Sequence, residues 1–92
     1  MRVEPGNEDL PVFDFTTFVL SLIHSANVHL GLVVDPATLK TALDLTMARQ
    51  TIDLLGMLEE KTRGNLSGEE ERILEQALFE LRMRFVEVNQ KT

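Results

Sequence analysis

The stretch from Ser67 to about Val88 constrains this chain more than any other, because read as a helix it is apolar on two opposite sides. At about 100° per residue, Ile73, Leu74, Ala77, Leu78, Leu81, Phe85 and Val88 fall within one arc of roughly 140°. Phe79, Met83 and Val86 gather in a second, narrower arc on the other side. A helix at the edge of a small bundle needs one buried stripe, so a second stripe asks for a second partner. That pattern points to self-association or a binding surface. It identifies no reaction.

The chain has 92 residues, enough for one domain near the lower end of what folds without staples. It contains no cysteine, so neither a disulfide framework nor a thiolate metal site supports it, which fits a reducing cytoplasm. Stability must come from apolar burial, for which 43% hydrophobic content suffices. A chain this small buries only about 60–65% of its extended surface, which makes sharing a core with a second copy attractive. The formal net charge is −6. Nucleic-acid binding needs a basic patch that displaces counterions from phosphate, whereas Arg72, Arg82 and Arg84 point in different directions among glutamates. The same charge disfavours anionic membranes. No nucleic-acid, membrane or cofactor role is expected.

Along the chain, residues 1–12 read as a disordered, acidic lead-in without an apolar targeting core, and residues 13–92 as a single helical domain. Phe18 to Ile23, the strongest apolar stretch, is far short of the roughly 18–20 residues that span a bilayer. Asp14, or a threonine after it, caps a first helix whose Phe15, Phe18, Val19, Leu22, Ile23, Ala26 and Leu30 share one face, and Gly31 is the natural stop. Between residues 31 and 43 the reading favours a loop with a helical turn. A second helix capped by Asp44 follows, with a start at Pro36 as the alternative. That helix, to about Thr62, carries Leu45, Met47, Ala48, Ile52, Leu54, Leu55 and Leu58 over nearly half its circumference, as suits a central helix touching both others. Gly64 supplies a left-handed stop, and Ser67 with Glu70 forms a capping box for helix three. The short link predicts that helices two and three form an antiparallel hairpin, so the expected fold is an all-α, small three-helix bundle.

Several segments together carry a resemblance. They are Asp14-Phe-Thr-Thr-Phe-Val-Leu-Ser-Leu22, Val28-His-Leu-Gly31, Ala48-Arg-Gln-Thr-Ile-Asp-Leu-Leu55, Glu60-Lys-Thr-Arg-Gly-Asn-Leu66 and Leu81-Arg-Met-Arg-Phe-Val86. Over roughly residues 13 to 88 the chain resembles the bacterial family catalogued as domain of unknown function 1844. The resemblance implies a small bacterial, cytoplasmic protein. It implies no activity and transfers no catalytic residues.

The groups able to do chemistry are few. His24 and His29, five residues apart on a helix, point about 140° away from each other and cannot chelate one metal from one face. No Glu-x-x-His pair exists. Ser25 and His29 stand four apart, but no orienting acid or oxyanion hole accompanies them. Glu69, Glu70 and Glu71 splay in three directions and belong to a helix N-terminus, where negative charge is favoured. No catalytic, cofactor-binding or metal residues are therefore assigned. Asn65-Leu66-Ser67 matches a glycosylation sequon by chance, given no export signal.

Phe79, Met83 and Val86 form a ridge opposite an already adequate core stripe, and Phe and Met are favoured in interface cores. Met57, on the polar side of helix two, extends it, and Phe13, Leu20 and Val28 of helix one are further contributors. The expected function is a non-enzymatic protein–protein interaction module that self-associates, with a homodimer favoured over higher oligomers and another protein as a further partner class. The alternative is a small-molecule or metal-binding protein with a site near His29 formed between subunits.

Overall fold

Three capping residues divide the chain into three helices, α1 (Phe15–His29), α2 (Leu45–Lys61) and α3 (Gly68–Lys91), in a computed structural model that describes residues 13–92. The flexible lead-in expected over residues 1–12 lies outside the described residues. Asp14 stands in extended backbone and its carboxylate accepts the Thr17 backbone N–H at 2.8 Å, satisfying a donor that the first turn leaves orphaned. Chiefly through that bond, the carboxyl is held below its ordinary value. At the other end Gly31 takes a left-handed φ of 74°. A Cβ added there would sit 3.7 Å from the Leu43 backbone, so the returning chain crosses close over it.

The connection from Leu30 to Asp44 is a loop, and Pro36 starts no helix. Two isolated antiparallel bridges, Leu30 with Leu43 and Asp35 with Lys40, fold it back on itself. The Asp44 backbone N–H donates to the His29 carbonyl at 2.7 Å and closes its base. At its tip the Asp35 carboxylate accepts from the Ala37 N–H, and its carbonyl accepts from the Leu39 N–H. That single helical turn leaves Leu39 at φ 58°, a conformation that leucine rarely adopts.

Asp44 then caps α2 by accepting the Met47 N–H at 3.0 Å. The buried face of α2 consists of Ala48, Thr51, Ile52 and Leu55, and the Thr51 hydroxyl is satisfied by the Met47 carbonyl. This face is narrower than the apolar pattern suggests: Met47 and Leu54 stay exposed at its margin, because two neighbouring helices cover only the arc between them. Gly64, at φ 85°, turns the chain after α2. Ser67 and Glu70 complete the capping box through reciprocal bonds of 3.1 and 2.8 Å. Helix α3 runs on to Lys91, most of a turn past Val88.

Each helix touches both others. Val19, Ala26 and Leu30 of the α1 region meet Ala48, Ile52 and Leu55 of α2 and Leu74, Leu78 and Leu81 of α3 in one core. The start of α2 lies beside the end of α3, where Leu45 and Arg49 share a groove with Phe85. The end of α2 lies beside the start of α3, where Glu59 and Thr62 share one with Leu74 and Glu75. Helix α1 lies against α3 through Ile23, which lines a cleft with Ile73, Ala77 and Leu81. A polar clasp reinforces this contact: Arg84 donates to the Asn27 side-chain oxygen at 3.1 Å, and the Asn27 amide donates to the Ile23 carbonyl. Among the described residues there are three helices and no strand longer than an isolated bridge. The fold is all-α.

Candidate interaction surface

The heptad-like drift of α3 places its residues on two sides of very different character. Leu74, Ala77, Leu78 and Leu81 face α1 and α2 and are buried, with Ile73, Phe85 and Val88 half-buried beside them. About 160° around the same helix stand Phe79, Met83 and Val86, which are 65%, 50% and 52% exposed. All three line one open groove of about 520 Å³, together with Leu78, Arg82, Glu75 and Glu87 of α3 and Glu59 of α2.

Its lining combines the apolar Leu78, Phe79, Met83 and Val86 with the charged Glu59, Glu75, Arg82 and Glu87. Arg82 runs from α3 across to α2. There Gly56 leaves space for it, since a Cβ at that position would lie 3.2 Å from the guanidinium. Past Arg82 and Val86 the surface continues into a smaller depression of about 180 Å³ with Arg49, Ile52, Asp53 and Phe85. Arg49 and Asp53 are paired at 3.9 Å, both largely exposed, which contributes little to stability.

Other residues singled out from the sequence do not line this groove. Met57 is half-exposed on α2 but does not line it. Phe13 and Leu20, both half-exposed, and the half-buried Val28 belong to the α1 side and do not line it either. His29 is the last residue of α1, half-buried, with its carbonyl committed to Asp44. His24 is exposed. Glu70 is engaged in its capping box. Among the described residues, no group of three or more His, Cys, Asp or Glu side chains is placed to hold a metal ion.

Two features of the surface escape the apolar pattern. The Gly56–Arg82 crossing pairs a helix-interior glycine with a long cation on another helix, and only their spatial meeting gives either a meaning. The loop between α1 and α2 exposes Leu32, Val34, Leu39 and Leu43. Its sequence signal, three consecutive apolar residues ahead of Asp35-Pro36, is equally compatible with burial.

No helix among the described residues is long and apolar enough to cross a membrane. Comparison with known proteins finds no match among curated proteins and none among solved structures. Residues 12–87 match the family described as Domain of unknown function (DUF1844), a span that includes the whole groove. The chain belongs to that family, whose description assigns no activity.

Proposed function

We propose that this protein is a non-enzymatic helical interaction module that self-associates through the outer face of α3, as a two-fold dimer. The observation that carries the reading is that Phe79, Met83 and Val86, each half-exposed or more, line one groove on a side of α3 that neither α1 nor α2 covers. Scattered apolar residues are ordinary on protein surfaces, but three on one ridge with charge at the margins is an interface composition. Burying the phenylalanine and the methionine contributes on the order of 1.5–3 kcal/mol each, before the entropy of association is subtracted. A two-fold arrangement is the simplest closed assembly, because one surface serves both partners.

The test is light scattering coupled to gel filtration over about a hundredfold range of concentration bracketing the micromolar region. The wild-type chain is expected to reach the mass of two chains. The variant carrying Phe79→Glu and Met83→Glu is expected to stay at one, with unchanged helical circular dichroism, because neither side chain belongs to the core. A wild-type chain that stays at one chain throughout overturns the reading.

A further inference from the structure

Resting on that self-association, the geometry points to how the two copies meet: we infer that α3 pairs with the partner's α3 in opposite directions, about a two-fold axis at Met83. The spacing of the outer ridge is the first argument. Gln76, Phe79, Met83, Val86 and Gln90 follow one another at intervals of three, four, three and four residues, the alternation that keeps a seam facing a second helix. All five are exposed.

The order of chemistry along this seam is nearly the same read from either end. Glutamine stands seven residues before Met83 and seven after it. An apolar residue stands four before it and three after. Turned end for end about Met83, the seam stacks Phe79 on the partner's Val86, Met83 on the partner's Met83, and Gln76 on the partner's Gln90. Every apolar layer then meets an apolar layer, and each amide layer closes one end. A parallel pairing stacks each residue on its own copy, placing phenylalanine on phenylalanine and valine on valine.

Charge separates the two orientations further. From Gly68 to Phe79, Glu69, Glu70, Glu71 and Glu75 against Arg72 leave a charge of −3. From Glu80 to Lys91, Arg82, Arg84 and Lys91 against Glu80 and Glu87 leave +1. Opposed helices set the acidic half of each beside the basic half of the other and oppose their macrodipoles, whereas parallel helices juxtapose two acidic N-terminal halves. Two like-charge approaches remain, Glu80 with the partner's Glu87 and Arg82 with the partner's Arg82. The first is offset within the chain, since Glu80 pairs with Arg84 at 3.8 Å, and in the second the Arg82 guanidinium is drawn aside toward Gly56 of α2.

The absence of native cysteine allows a clean test. Single variants Gln76→Cys, Gln90→Cys and Met83→Cys are oxidised mildly at a concentration where light scattering reports the mass of two chains, and disulfide-linked dimer is followed on non-reducing gels. A disulfide needs its Cα atoms within about 7 Å. In the opposed arrangement Gln76 lies about 21 Å from the partner's Gln76, at roughly 1.5 Å per residue over fourteen residues, and beside the partner's Gln90. Met83→Cys is therefore expected to cross-link alone. An equimolar mixture of Gln76→Cys and Gln90→Cys is expected to cross-link at least tenfold faster than either by itself. Gln76→Cys linking to itself as fast as in the mixture overturns the orientation and leaves self-association standing, as does a two-chain species in which no combination links. A chain at the mass of one throughout removes both.

Discussion

The two faces of α3 share one backbone, one set of caps and a similar density of apolar side chains, yet one is sealed and the other open. Leu74, Leu78 and Leu81 keep at most 2% of their surface, while Phe79 on the opposite side keeps 65%. The difference lies outside the helix. Helices α1 and α2 dock against the wider arc, where Leu74, Leu78 and Leu81 join Ile52 and Leu55 in one core and Ala77 lines a cleft with Ile23 of α1. Among the described residues, no further helix covers the narrower arc. Amphipathic pattern therefore reports how much a helix is able to bury, and the count of neighbouring helices decides how much is buried within one chain.

The largest expected effect tests that contrast directly. Leu81→Ala removes a side chain that is 1% exposed at the meeting point of the three helices, and should lower unfolding stability by about 2–5 kcal/mol through lost burial and a residual cavity. Met83→Ala, two residues on, should change the stability of the single chain by no more than about 0.5 kcal/mol. Urea denaturation, run dilute enough to keep the chains apart, measures both. Similar losses at the two positions would mean that Met83 is packed within the chain, and the distinction between the faces would collapse.

A smaller effect concerns what fastens α1 against the covered face. Arg84→Ala removes the bond to Asn27 and the pairing with Glu80, and leaves the Asn27 oxygen without its partner in a half-buried site. Because the arginine side chain remains 43% exposed, water compensates in part, and a loss of about 1 kcal/mol is expected. Arg84→Ala and Asn27→Ala combined should cost measurably less than the two single losses added, since both break one bond. Full additivity would show that the clasp contributes nothing as a pair.

Most of this architecture is legible in the amino-acid order, for identifiable physical reasons. Asp14, Asp44 and Ser67 are capping residues whose side chains bond nearby backbone, so their meaning is local and survives without a fold. The same locality makes Gly31 and Gly64 readable as stops. The ridge of Phe79, Met83 and Val86 is legible because a helix converts spacing into direction. What resisted reading depends on contacts between elements. Met57 shares apolar character with that ridge, but whether it joins it depends on the rotation of α2 about its own axis. Phe13 and Leu20 depend likewise on which side of α3 receives α1. The exposure of Met47 and Leu54 follows from the width of the neighbours, which is not encoded in the helix that bears them.

The loop between α1 and α2 offers the finest test, since it too exposes apolar side chains but has none of the order of α3. Leu39 is 78% exposed and held at φ 58°, so it gains little from burial and bears the left-handed cost of roughly 1–2 kcal/mol for a residue with a branched side chain. The conformation is imposed from below: the Leu39 N–H bonds the Asp35 carbonyl, and the Asp35 N–H bonds the Lys40 carbonyl, both within 3 Å. Asparagine keeps both bonds and tolerates this backbone far better. Leu39→Asn should therefore stabilise the chain by about 0.5 kcal/mol, and Leu39→Gly by less, because glycine adds freedom to the unfolded state. Neither change should alter the mass in solution if association belongs to the helical ridge. A loss of association in Leu39→Asn would instead make this leucine a contact in its own right. The strain would then be a means of presenting it, and the proposed self-association would draw on this loop as well as on the outer face of α3.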